Sequence, residues 1–286
     1  MRGRAACYTA SMKKRRFKIK RKALLVDAAL LIIFLAAATA LSVSLVRYAR
    51  DRAAYRAAQS LALSVPAATT PSPEASAAPE EPRQAPAATE QPKETPPITV
   101  DFAAIRAEGR HVRGWLYSAD TVINYPVVYY SNNDYYLTHN YKGERNQAGA
   151  IFFDTRETKE LIGDNLIIYG HHMKDRSMFG SLLQYQKQEY YDAHPTMYLV
   201  LEDAHYRIDL FSGRFADSAA ESYPVWFGSP EEKKTYVQNA RAHSDFTAAD
   251  AEYYPDKRIV SLVTCAYSNY IEDAKYHVMG WLTEIG

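Results

Sequence analysis

Short runs of β-branched and aromatic residues, separated by turn residues, fill the second half of the chain. Such runs are typical of β-strands. The runs predicted as strands are INYPVVYY, AGAIFFD, NLIIYGHH, TMYLVLE, HYRIDLFSGRF, RIVSLVTCAY and YHVMGWLTEI. Three helix-like segments accompany them: one that Asp101 would cap, one around 178–188 and one around 230–242. Many short strands with few helices predict a mainly β fold, a closed barrel or a sandwich, and disfavour a doubly wound sheet.

Near the N-terminus the pattern is different, since residues 23–46 form an apolar run with Asp27 as its one charge. Roughly 20 apolar residues cross the ~30 Å hydrocarbon core of a bilayer, so this run predicts a transmembrane helix. The alternative is a cleaved signal peptide, because Ala38, Thr39 and Ala40 form a small-x-small cleavage pattern. The run continues past Ala40, which favours an uncleaved anchor.

A block of eight Lys and Arg residues within 13–22 comes just before the apolar run. By the positive-inside rule this flank stays in the cytoplasm, so we expect a single-pass cell-membrane protein with the rest of the chain outside. The net charge of +1 gives no overall indication of a nucleic-acid partner. The expected partner from this part of the chain is therefore the lipid bilayer and not a nucleic acid.

Four segments are predicted along the chain: a basic cytoplasmic leader (1–22), a transmembrane anchor (23–46), an Ala/Pro-rich linker (47–98) and a folded domain (99–286). The start of the linker, 47–64, is alanine-rich and charged and could continue the anchor as a helix. Nine of the fourteen prolines fall within 66–97. A segment of this composition cannot bury a core, and it is expected to be a disordered, extended spacer.

The chain has two cysteines, Cys7 and Cys265. With the expected topology they would lie on opposite sides of the bilayer, so they could not form an intramolecular disulfide. An unpaired cysteine in an exported domain is a small buried hydrophobe, a partner in an intermolecular disulfide, or a reactive thiol. The sequence alone leaves these three interpretations of Cys265 open.

Two histidines, His171 and His172, stand at the end of a predicted strand. Neighbouring strand residues point to opposite faces, so at most one of them faces a given pocket. No cluster at metal-ligand spacing accompanies them, and no metal is predicted. A histidine, a thiol and a following cation, Lys275, would suit acyl transfer, but a lone histidine is more often structural than catalytic.

Four blocks of the chain resemble the class B sortases, in the family's order, over Thr99–Gly286. They are VDFAAIRAEGRHVRGWLYSADTVINYPVV, NNDYYLTHNYKGERNQAGAIFFD, NLIIYGHHMKDRSMFGSL and SLVTCAYS. The resemblance implies a closed sortase-type β-barrel, with an N-terminal helix and a helix-containing loop before the strand that ends in the cysteine.

The resemblance also implies a role for individual residues. Cys265 matches the nucleophile, His171 its proton-transfer partner, and His172 a position without a catalytic role. Lys275 stands where the family has its active-site arginine, and lysine provides a point charge without the rigid fork of donors of a guanidinium group. The residues that match the sorting-signal groove and the position before the nucleophile are Asn133, Leu137 and Thr264.

The implied activity is that of a cysteine transpeptidase. It would cleave the C-terminal sorting motif of a surface protein through a thioacyl-enzyme and transfer the protein to an amine of a peptidoglycan precursor or cross-bridge. No metal or organic cofactor is implied. The alternatives are a sortase that polymerises pilins, a plain cysteine peptidase, and a sortase-like protein that binds sorting signals with little or no turnover.

Overall fold

The computed structural model describes residues 21–64, 94–216, 223–250, 252–265 and 274–286. The chain divides into two compact units, Met1–Ala49 and Arg50–Gly286. The described part of the first unit belongs to helix α1 (Arg21–Ala62), whose apolar side chains in this unit are mostly exposed. Among the described residues, α1 is the one helix long and apolar enough to cross a membrane, a test that a signal sequence would also pass.

The second unit is built from strands and short helices. The strands are β1 (Leu63–Ser64), β2 (Thr99–Val100), β3 (Val112–Tyr117), β4 (Asn124–Val128), β5 (Ile151–Phe153), β6 (Asn165–Gly170), β7 (Thr196–Leu201), β8 (His205–Phe215), β9 (Arg258–Cys265) and β10 (Lys275–Ile285). The helices after α1 are α2 (Phe102–Glu108), α3 (Gln188–Ala193) and α4 (Pro230–Ala242), with 3-10 helices at Tyr135–Leu137 and Phe179–Gln186.

Within the described residues, eight strands close a barrel in the order β10-β8-β7-β3-β4-β5-β6-β9, and β1 and β2 form a separate two-stranded sheet. The predicted closed barrel is thereby confirmed. The pairs β4–β5 and β6–β9 are parallel, and the other pairs of the barrel are antiparallel. In the β6–β9 pair the Ser261 hydroxyl donates to the Asn165 side-chain oxygen at 2.9 Å, a buried bond that fixes the register.

Helix α4 lies in the connection between β8 and β9 and confirms the helix predicted at 230–242. Ser229 caps it by accepting a hydrogen bond from the Glu232 backbone N–H at 3.1 Å, and Pro230 occupies the first turn, where no N–H is needed. The apolar side of the helix forms a buried cluster together with residues of β8, β9 and β10. The members of this cluster are Phe211, Val237, Ala240, Ile259, Met279 and Trp281.

The other two predicted helices differ in outcome. Asp101 caps α2 by accepting from the Ala104 N–H at 2.8 Å, as predicted. The segment predicted at 178–188 is instead a 3-10 helix, Phe179–Gln186, followed by α3. The two are separate because Lys187 has an extended backbone, with φ −117° and ψ 128°, which a continuous α-helix does not allow.

The part of α1 that belongs to the second unit packs on the barrel through buried Tyr55, Ala58 and Ala62. Its end is tied to the domain because the Asp101 N–H donates to the Ala62 carbonyl at 2.8 Å. Within the segment expected as linker, 47–98, residues 50–62 are thus helix that belongs to the second unit. Alanine carries little hydrophobic signal, which is why patterning did not reveal this contact. The proline-rich stretch 65–93 lies outside the described residues, as does Cys7.

Candidate active site

Three neighbouring strands, β6, β9 and β10, bring the predicted catalytic residues to one edge of the barrel. The parallel β6–β9 pair aligns Gly170 with Thr264, so the residues that follow directly, His171 and Cys265, come at the same level of the sheet. The antiparallel β9–β10 pair aligns Cys265 with Lys275. Neighbouring strands lie about 4.8 Å apart, so the three backbone positions are adjacent. The side chain of Cys265 lies outside the described part of the chain.

Two hydrogen bonds hold His171, one through its ring and one through its backbone. Its Nε2 donates to the Leu137 carbonyl at 2.6 Å, and its own carbonyl accepts from the Phe179 N–H at 3.0 Å. Since a carbonyl only accepts, this partner assigns the ring proton to Nε2 and leaves Nδ1 as the acceptor of the neutral ring. His172 makes other contacts: it forms a bridge with Met178.

Gly149 packs directly beneath the His171 ring. Its φ of +59° is in the left-handed region that favours glycine, and a Cβ added there would lie 3.0 Å from His171 Cδ2 and 3.0 Å from the Leu137 carbonyl oxygen. The Tyr136 carbonyl oxygen would be closer still, at 2.6 Å. The Gly149 backbone therefore packs against both the His171 ring and the carbonyl that accepts its hydrogen bond.

Lys275 is half-buried at the first position of β10, and its Nζ lies 5.8 Å from the centroid of the Tyr223 ring. Tyr223 also packs against His277, with 5.0 Å between ring centroids. His277 is fully buried, and burial, with a smaller contribution from the Arg214 charge, lowers its pKa to about 3. The cation of Lys275 thus lies over the Tyr223 ring, and the same ring also contacts the neutral side chain of His277.

The three residues predicted to line the groove have different surroundings. Leu137 is exposed, and its carbonyl is the partner of His171. The Asn133 side-chain oxygen accepts from the Thr155 N–H at 3.0 Å, which leaves its Nδ2 as the remaining donor. Thr264 is buried, and its hydroxyl has no hydrogen-bond partner among the described residues. The described residues also contain no group of three or more side chains suited to a metal ion.

Two further residues of the site were missed by sequence reasoning. Gly149 precedes β5 within the run AGAIFFD, and a glycine next to a strand is a signal for a close backbone approach. Tyr223 precedes α4 by several residues, and nothing in its neighbourhood marks it among the 23 tyrosines of the chain. Its position beside Lys275 depends on the folded connection between β8 and β9.

The chain is similar to known proteins over about three fifths of its length. It is 36% identical over 171 residues to sortase B of Listeria monocytogenes, covering 59% of this chain and 68% of that protein. A crystal structure of a Bacillus anthracis protein similar to sortase B has a TM-score of 0.57 at 32% identity, over 64% of this chain and 82% of the other. For a Staphylococcus aureus sortase B–substrate complex the TM-score is 0.58 at 25% identity, over 65% and 85%. No protein-family model matches the sequence.

A closed eight-stranded barrel of this order, within the described residues, defines the fold of a sortase. The likeness to the Listeria protein narrows this further, and the chain belongs to the class B sortases, a family of transpeptidases. The resemblance identified from the four sequence blocks is confirmed.

Proposed function

We propose that the protein is a membrane-anchored transpeptidase in which Cys265 attacks the threonine carbonyl of a C-terminal sorting motif. The observation that carries the proposal is the parallel pairing of β6 with β9, which aligns Gly170 with Thr264. The residues that follow these two, His171 and Cys265, are a base and a nucleophile. Acyl transfer by a thiol requires such a pair within reach of one another.

The reaction has two steps. In the first, the Cys265 thiolate forms a C–S bond with the threonine carbonyl carbon, the peptide C–N bond breaks, and protonated His171 gives a proton to the leaving amine. In the second, an amine attacks the thioester, the C–S bond breaks, and His171 takes the proton from the attacking nitrogen. The thiolate is regenerated, and the surface protein is joined to its acceptor by a new amide bond.

Lys275 is proposed to stabilise the oxyanion that forms on the carbonyl oxygen in both steps. Its register opposite Cys265 supports this role, and its contact with the Tyr223 ring limits where the ammonium group can lie. The proposed peptide groove includes Asn133 Nδ2 as a donor to a peptide carbonyl and exposed Leu137 as an apolar contact. Thr264, buried next to Cys265, would shape the floor of this groove.

The proposed substrate is the C-terminal sorting signal of a surface protein, in line with the substrate complex formed by the Staphylococcus aureus relative. The proposed acceptor is an amine of a peptidoglycan precursor or cross-bridge. The apolar part of α1 is proposed as a single membrane span, with the basic leader in the cytoplasm and the catalytic barrel outside.

The test uses the full chain in detergent micelles with a library of sorting-motif peptides and a short glycine peptide as the amine. Mass spectrometry would read the acyl-enzyme and the peptide–amine product. Both should form with the native chain and vanish with Cys265→Ala. Lys275→Ala should lower kcat about 100-fold, the usual cost of losing one oxyanion donor.

Lys257→Ala is the matched control for the lysine. Its Nζ lies 3.9 Å from the centroid of the Tyr254 ring, so it also removes a cation held over a tyrosine, in a different part of the chain. It should leave kcat unchanged. Hydrolysed peptide without amine product would identify a peptidase, and peptide binding without an acyl-enzyme would identify a binding protein. Either result would reject the transpeptidase.

A further inference from the structure

The end of α1 that belongs to the second unit touches two loops that flank His171. We call residues 146–150 the glycine loop and residues 171–179 the histidine loop. The hydroxyl of Tyr55 donates to the Gly149 carbonyl in the glycine loop. Arg52 Nε donates to the Asp175 carboxylate in the histidine loop at 3.0 Å. One helical turn of α1 therefore holds a residue of each loop.

The glycine loop supports the histidine ring from below. Gly149 lies against both the His171 ring and the Leu137 carbonyl, which accepts the hydrogen bond from Nε2. The Tyr55 bond holds the Gly149 carbonyl, and Tyr55 is 5% exposed, so no water competes freely for that carbonyl. A shift of this peptide would move the ring and its partner together.

The histidine loop is organised by Asp175, which accepts from the Ser177 N–H at 3.0 Å and from the Ser177 hydroxyl at 2.6 Å. Arg52 binds the same carboxylate from α1, and its positive charge helps to lower the pKa of Asp175. The carboxylate is therefore ionised at neutral pH and keeps both sets of contacts. At its far end the loop returns to His171 through the Phe179 N–H.

Tyr55 reaches the histidine loop by a second route. Its ring packs edge-on against Tyr125 with 5.5 Å between centroids, and the Tyr125 hydroxyl accepts from the Met178 N–H at 3.0 Å. Met178 has φ +52°, a conformation that a bulky side chain adopts only when its surroundings impose it. The packing of Tyr55 thus contributes to holding a strained residue next to Phe179.

We infer that Tyr55 and Arg52, from the segment that follows the apolar run, are positioning residues for His171. They act through the Gly149 carbonyl and the Asp175 carboxylate and keep the imidazole in the orientation that proton transfer needs. This inference rests on the proposed function, because the proton transfer proposed for His171 is what makes the orientation of its ring matter. It also makes α1 beyond Arg50 part of the catalytic unit and not a spacer.

The test compares Tyr55→Phe with Tyr185→Phe in the full chain in detergent micelles. Both remove the hydroxyl of a buried tyrosine that donates to a backbone carbonyl, and the bond of Tyr185, to His194 at 2.9 Å, involves neither loop. Misplacing a catalytic group by a fraction of an ångström lowers kcat, so we expect about a tenfold loss with Tyr55→Phe and a KM within about twofold of the native value. Tyr185→Phe should change neither constant by more than about twofold.

A second readout is independent of turnover. In chains with labelled histidine rings, NMR resolves the His171 signal, identified by its loss in His171→Gln. Its chemical shift should move in Tyr55→Phe and in Arg52→Gln, and stay in place in Tyr185→Phe and Arg56→Gln, whose exposed arginine is on the same helix. Equal effects of Tyr55→Phe and Tyr185→Phe would overturn the inference. A native chain that forms no acyl-enzyme would instead reject the proposed function, and the NMR comparison would still decide the positioning role.

Discussion

Gly149→Ala directly tests the packing of Gly149 against the His171 ring. The change adds one methyl group at a backbone position with φ +59°, where the Tyr136 carbonyl oxygen is 2.6 Å from the new atom. That oxygen belongs to the backbone and cannot rotate away, so the glycine loop or the histidine ring must move. We expect both a loss of stability and a loss of activity.

The loss of stability has two parts. A left-handed backbone costs a residue with a Cβ about 1–2 kcal/mol. Overpacking against fixed atoms typically adds about 1–3 kcal/mol. The sum, about 2–5 kcal/mol, corresponds to a decrease in Tm of roughly 4–20 °C, since 1 kcal/mol shifts Tm by about 2–4 °C in a domain of this size. The activity should fall at least tenfold at temperatures where the variant is still folded, because His171 moves away from Cys265.

Gly143→Ala is the matched control. Gly143 has φ +84°, but its added Cβ would meet only the tip of the Tyr135 side chain, at 3.1 Å, which can move aside. This variant carries the backbone strain without the clash at the histidine, so it should lose about 1–2 kcal/mol and keep its activity. Thermal melts followed by circular dichroism and peptide–amine transfer rates measure both quantities. Equal transfer rates for the two folded variants would refute the reasoning.

Three further predictions concern stability. Burial raises the pKa of Glu157 to about 7, so the folded state favours the protonated acid and stability should fall as the pH rises from about 4.5 to 7. In Glu157→Gln this loss should be absent from Tm measured against pH. The pKa of His277 is lowered to about 3, so the neutral ring is favoured and stability should fall as the pH drops below about 6.5; His277→Phe should remove that dependence. Ser229→Ala removes the cap of α4 and should cost about 1 kcal/mol in urea unfolding.

The same measurements, Tm against pH and urea unfolding, also provide the results that would contradict these three predictions. A Tm of Glu157→Gln that follows the native profile above pH 4.5 would show that this carboxyl is not the group responsible. For His277→Phe the corresponding contrary result is an unchanged fall below pH 6.5. Ser229→Thr keeps a hydroxyl at the cap, so it should recover most of the stability, and failure to do so would point to a role of Ser229 other than capping.

The features that the sequence predicted well are local. Asp101 caps α2 as its position before an apolar helical segment predicted, and the run that becomes β9 is apolar at five of its eight positions. The family resemblance supplied the closed barrel. The approach of His171 to Cys265 had no local signal, because it depends on the register of two strands separated by about 95 residues.

The contacts of Tyr55 and Gly149 are not local either, and sequence reasoning missed them. Residues 47–64 read as a charged, alanine-rich continuation of the anchor, and only the fold reveals which of their side chains meets the glycine loop. The 3-10 helix at 179–186 was missed for a different reason. Its apolar residues satisfy a helical period, but tertiary contacts of its mostly buried side chains selected the tighter winding.

The parallel β6–β9 pair also has a kinetic consequence. Ser261 and Asn165, which bond across this pair, are separated by 96 residues, so the pair forms only after a large loop has closed. Folds dominated by such distant contacts assemble slowly. Until that closure is complete, a newly made chain carries its thiol without the imidazole beside it. The proposed catalytic pair is thus complete only once the barrel has closed.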